Sequence, residues 1–185
     1  LIGRPLAIWL GLAQRNPGGI VLVGAHAVGR ALAEQLRRLD VPVLLVDTNI
    51  RRITQARLEG HRAYHGSVLS DEAEVGLELP GIGKLFAMTS NDDVNAFSAR
   101  HFVHLFGREN LYQVAPAKKS AEGAAALGRE LRARILFDDD LTLVELHRRL
   151  GQGMEFHATP LTNQFGLDAW REEYGPEAVP LLAVS

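Results

Sequence analysis

Ile20-Val21-Leu22-Val23 is a short unbroken apolar run, rich in β-branched residues and closed by Gly24. Such a run offers no polar face to water, so it reads as a strand buried on both sides within a parallel sheet. After the turn Gly24-Ala25-His26-Ala27-Val28-Gly29, apolar Val28, Ala31, Leu32, Leu36 and Leu39 recur at helical spacing, with Arg30, Glu34, Arg37 and Arg38 on the opposite face. Val43-Leu44-Leu45-Val46 then repeats the buried-strand pattern and stops at Asp47, 23 residues after Gly24. Strand, helix, strand is the unit from which parallel sheets are built, because parallel neighbours need a crossover connection.

The alternation continues. Asn49 is placed to cap a helix running to about Glu59, with Gly60 at its end. His61 to His65 reads as a weak third strand, Asp71 to Leu77 as a short helix after Ser70, and Leu85 to Thr89 as a fourth strand. Ser90 or Asn91 caps a helix to about Phe106, ended by Gly107. Leu111 to Val114 reads as a fifth strand, Lys118 to Leu131 as a helix and Arg134 to Phe137 as a sixth strand. The expected class is α/β: a Rossmann-like doubly wound parallel sheet with a small C-terminal α/β appendage. In that appendage Thr142 and Glu145 form a capping box flanked by Leu141 and Leu146. Glu155 to Leu161 and Val179 to Val184 read as strands, and Leu167 to Tyr174 reads as a helix. A unit this small must pack on the first domain, on a second copy or on further sequence.

Charge and composition narrow the function. Twenty Lys and Arg against 22 Asp and Glu give a formal net charge of −2, so no basic surface for nucleic acid is expected. There are no cysteines, which excludes disulfide scaffolds, thiolate metal sites and cysteine nucleophiles. The apolar run Leu6 to Ala13 falls well short of the ~20 residues that a spanning helix needs. The chain opens on Leu rather than Met, and a cut from a longer protein is the expectation.

The turn after the first strand carries the most specific chemistry. In a dinucleotide fold its glycines permit a tight turn and a close approach of backbone to pyrophosphate. The helix N-terminus offers free N–H groups to the anion, and an acidic residue after the second strand bonds the ribose hydroxyls. Gly24, Gly29 and Asp47 occupy those places, whereas His26 stands where the second glycine belongs. Its imidazole can block a pyrophosphate or donate to a phosphate, and Asp47 can alternatively cap the following helix with Thr48. His101 and His104 share a helix at i, i+3, but Arg100 and Arg108 rather than carboxylates neighbour them, so no metal site is expected. Asp138-Asp139-Asp140 immediately precedes a helix, where acids stabilise the N-terminus.

Val21 to Gly29, Leu45-Val46-Asp47, Tyr64 to Ser67 and Ala87 to Asn95 together resemble an RCK domain (regulator of K+ conductance), also called TrkA-N. The resemblance spans roughly residues 18 to 137. Val46 to Asn49, Gly81-Ile82-Gly83, Thr89 to Asn95 and Tyr112-Gln113 are similar to one branch, the cytoplasmic C-terminal domains of prokaryotic Na+/H+ antiporters. Gly3 to Leu6 resembles the stretch leaving the last membrane helix there. Thr159 to Thr162 with Val179 to Leu181 resembles the tail beyond the RCK part in the same proteins.

The resemblance implies a regulatory domain and no catalytic residue. It implies three parts: an exit linker over 1–17, the RCK domain over 18–137 and a small segment over 138–185. It implies NAD(H) or an adenine nucleotide as ligand, with Gly24, Ala25, His26, Ala27 and Gly29 at the phosphates. Asp47, Thr48 and Asn49 would face the ribose, with Ser67 close by and Thr89, Ser90 and Asn91 across the cleft. His26 for glycine, and Ser67 where many relatives carry Asp, leave a cleft without nucleotide as the alternative. The implied partners are a second copy of the chain and a membrane antiporter domain, at the cytoplasmic face of the membrane. The alternative functions are an RCK subunit or domain of a K+ transport system and an NAD-dependent oxidoreductase. For the latter, only about 50 residues remain after Phe137 to supply a substrate domain.

Overall fold

A computed structural model describes residues 18–70, 81–117, 133–160, 162, 165–175 and 178. The chain alternates β1 (Gly19–Val23), α1 (Ala27–Arg38), β2 (Val43–Asp47), α2 (Ile50–Leu58) and β3 (Arg62–His65). It goes on through β4 (Ile82–Ala87), α3 (Asp92–Phe106), a 3-10 turn at Arg108–Asn110, β5 (Leu111–Val114) and β6 (Arg134–Leu136). Helices α4 (Leu143–Gly151) and α5 (Leu167–Tyr174) come last. The six strands form one sheet in the order β3-β2-β1-β4-β5-β6, every neighbouring pair parallel. The sheet is the Rossmann-like, doubly wound architecture expected from the alternating runs.

Strand periodicity separates two cores. Ile20 and Leu22 point to one face, where they meet Val28, Leu32 and Leu36 of α1, Ile53 of α2, and Leu143 and Leu146 of α4. Val21 and Val23 point to the other face, against Ala99 and Phe102 of α3. Helices on both faces bury the sheet twice over, so β1 needs apolar residues at every position. At the N-termini of α2 and α3 the side chains anticipated from sequence do the capping. Asn49 accepts the N–H groups of Arg51 and Arg52, and Asn91 accepts those of Asp93 and Val94.

The segment after β6 packs on the sheet. Leu141 and Leu146, the pair flanking Thr142, are both buried in the first core. Only one arm of the capping box forms: Thr142 Oγ1 accepts the Glu145 N–H at 3.3 Å. The Glu145 carboxylate instead turns along its helix to Arg148 and Arg149, which hold its pKa down at about 2. The strand expected over Glu155 to Leu161 is not formed in its described part, residues 155–160. Phe156 alone packs against the core there, while its neighbours are largely solvated, so the alternation reflects one anchor and no ladder. The opening apolar segment, the helix after Ser70, the Lys118 to Leu131 helix and the final strand lie outside the described residues.

Candidate functional site at the carboxyl ends of β1 and β4

The strand order reverses direction between β1 and β4, and a crevice opens beyond the carboxyl ends of strands at such a switch point. Val23 pairs with Ala87 at this edge, and the Met88 N–H adds a further bond to the Val23 carbonyl at 2.9 Å. Gly24 leaves β1 at φ +120, a conformation that side chains rarely adopt, and donates its N–H to Val46 O at 2.8 Å. The chain then turns into α1. Gly29 is the second position where only glycine fits: a Cβ there would lie 2.0 Å from the Gly24 carbonyl oxygen.

His26 is the N-cap of α1, and its ring crosses the crevice. Nδ1 accepts the Gly29 N–H at 3.2 Å, while Nε2 lies 2.6 Å from Met88 O, 62 residues away in sequence. A carbonyl only accepts, so Nε2 carries the proton and the ring is the neutral Nε2–H tautomer. Only 6% of the residue is exposed. Burial pushes its pKa down to about 4, against the pull of the Met88 carbonyl. His147 and Arg52 add to the lowering and Asp47 opposes it. The His147 ring of α4 leans on His26 with centroids 4.7 Å apart.

Asp47 closes the other side of the turn. Its Oδ2 accepts the Ala25 N–H at 2.9 Å and Arg52 Nη1 at 3.3 Å, and its Oδ1 accepts the Asn49 N–H at 2.8 Å. It does not cap α2; Asn49 does. Across the crevice a buried amide fixes the loop after β4. Asn95 Oδ1 accepts the Thr89 N–H at 2.9 Å, and Asn95 Nδ2 donates to Thr89 O at 3.0 Å. The Thr89 hydroxyl lies 2.8 Å from Asn95 Oδ1.

The expected site residues therefore converge only in part. Gly24, Ala25, His26, Gly29 and Asp47 form one buried cluster, and Thr89 stands near it through Met88. Ala27, Thr48, Asn49 and Ser90 are exposed at the rim, where Asn91 caps α3. Ser67 is exposed, and its hydroxyl accepts the N–H of Leu69 within its own turn. Three contributors went unanticipated: the Met88 carbonyl, Asn95 as anchor of the loop, and His147. No local pattern announces them, since each acts through a contact made by the fold.

A dinucleotide's phosphates do not fit the residues as they stand. A Cβ on Gly24 would come within 2.5 Å of Met88 O and 2.9 Å of His26 Nε2, so the space over the turn is already filled. The Gly29 N–H, one of the helix donors an anion would use, is bonded to His26.

The family model for the TrkA-N domain matches residues 20–136. Among solved structures, the NAD(P)-binding domain of an exopolyphosphatase-related protein from Archaeoglobus fulgidus is similar at TM-score 0.52 and 17% identity, covering 72% of this chain and 94% of that one. The GsuK channel bound to NAD is similar at TM-score 0.52 and 20% identity, covering 70% of this chain and 25% of that one. The TrkA-N domain of the inner membrane protein ybaL from Escherichia coli aligns at TM-score 0.49 and 21% identity, covering 75% and 97%. Among curated proteins none matches the chain in sequence. The first two of these structures share the fold, and the family model covers well over half of the sequence: the chain belongs to the TrkA-N domain family.

Proposed function

We propose that this chain is the cytoplasmic regulatory domain of a monovalent cation:proton antiporter, biasing transport through the state of the crevice between β1 and β4. Family membership over residues 20–136 supports a regulatory module of ion transport. The antiporter reading rests on the sequence segments that resemble that branch. Two of them, Val46 to Asn49 and Thr89 to Asn95, end β2 and follow β4 at the same edge of the sheet. That shared placement is the observation carrying the proposal, because the two stretches that resemble the antiporter branch then meet where an input to the crevice would act. A second copy of the chain and a membrane-embedded transport domain are the partners in this reading.

The test is cation-dependent proton exchange in everted vesicles, with the transporter intact and with this domain deleted. Deletion is expected to change the rate or its pH profile with Na+ or K+ as the driving ion. Unchanged exchange would reject a regulatory role, and a domain found attached to a channel or a K+ uptake system would replace the antiporter by that alternative.

A further inference from the structure

We infer that His26 is a built-in occupant of the phosphate seat, so that the crevice of this chain is closed to dinucleotides by its own imidazole. The inference rests on the geometry of the turn and on membership of the TrkA-N family, and is independent of the antiporter reading.

Three observations converge on it. The first is space. The imidazole stands at the position of the second glycine, whose bareness elsewhere lets backbone and pyrophosphate approach, and its Nε2 lies over the turn, 2.9 Å from where a Cβ on Gly24 would be. The second is the donor set. A helix N-terminus attracts an anion through N–H groups that have no partner in the helix. Here the Gly29 N–H in the first turn of α1 is satisfied by His26 Nδ1, and the Ala25 N–H just ahead of the helix by Asp47 Oδ2, so two N–H groups of the turn already hold acceptors from their own chain. The third is retention. The ring bonds at both nitrogens, to α1 and to the loop after β4, and His147 of α4 packs against it. Swinging the ring out would strand the buried Met88 carbonyl and reopen the helix end. A side chain that merely faced an open crevice would have neither bond.

The ring is neutral in this arrangement, and it must be. A proton on Nδ1 would face the Gly29 N–H donor to donor, beside the positive end of α1. His26 thus imitates the acceptor role of a phosphate oxygen without its charge.

Calorimetric titration with NADH tests the inference, using the unaltered chain, His26→Gly and His26→Ser, each checked for its fold by circular dichroism. Serine retains a helix cap in a far smaller volume, so a folded comparison survives even if the glycine variant does not fold. At least one folded variant is expected to bind NADH about tenfold or more tighter than the unaltered chain. A smaller difference in every folded variant, whether all bind or none does, would overturn the assignment of His26 as the element that closes the crevice.

Discussion

The carboxylate of Asp47 reaches from the end of β2 back to the turn after β1, where Oδ2 accepts the Ala25 N–H at 2.9 Å. Its second oxygen holds the Asn49 N–H at 2.8 Å, so one buried side chain fixes both the turn ahead of α1 and the approach to α2. Arg52 adds a partly exposed ion pair at 3.3 Å. A residue that sequence alone reads as a ribose acceptor is thereby a brace for the βαβ unit, whatever the crevice binds.

Asp47→Ala should therefore destabilise the chain without any ligand present. Losing a charged acceptor of one buried and one part-buried N–H group costs about 1.5–3 kcal/mol. Urea denaturation of the two proteins measures it, and equal midpoints would show that the carboxylate does not hold the turn.

Gly29→Ala should also destabilise, against the usual sign for a helix interior. Alanine normally gains up to about 1 kcal/mol over glycine in a helix. Here its Cβ would sit 2.0 Å from the Gly24 carbonyl oxygen, so backbone must move and the cost should reach about 3 kcal/mol or more. Thermal unfolding gives the sign directly.

Asn95 is nearly inaccessible, at 1% exposed, and its amide makes both of its loop bonds to Thr89. Asn95→Ala leaves the Thr89 N–H and carbonyl without these partners and should cost about 2–3 kcal/mol. The variant should also raise hydrogen exchange at Thr89 and Asn91, and unchanged exchange there would count against the anchoring role.

Much of this fold is legible in the sequence because it is local. Ile20 to Val23 and Leu111 to Val114 announce buried strands by being apolar or nearly so throughout, and Asn49, Asn91 and Thr142 cap the helices that come after them. The failure at Glu155 to Pro160 has the opposite cause: alternation marks a strand only if an edge is there to pair with, and the described residues give Phe156 a core contact alone. The crevice is legible as a position but not as a chemistry. The glycine pattern identifies His26 as the odd residue, yet whether its ring meets a phosphate or Met88 depends on a partner 62 residues away.

The buried neutral imidazole has a stability signature. His26 ordinarily takes a proton near 6.5, while in the folded chain it resists until about 4. Between these values the unfolded chain binds the extra proton, so this contribution is complete above 6.5 and is lost as pH falls toward 4. It amounts to roughly 3 kcal/mol. Stability curves for the unaltered chain and His26→Ser should diverge in that window, and parallel curves would mean that the ring is not held neutral. His147, Arg52 and Asp47 are the charged or titratable groups that act on this ring in the folded chain.

Long-range 1H–15N correlation of the histidine rings tests the central claim, that His26 occupies the seat over Gly24, most directly. Locked between Gly29 and Met88, its ring should show the neutral Nε2–H tautomer, unchanged from about pH 8 down to about pH 5.5, a span that lies above the folded value. An Nδ1–H tautomer, or a ring that titrates near its ordinary 6.5, would place the imidazole outside the seat and contradict the account.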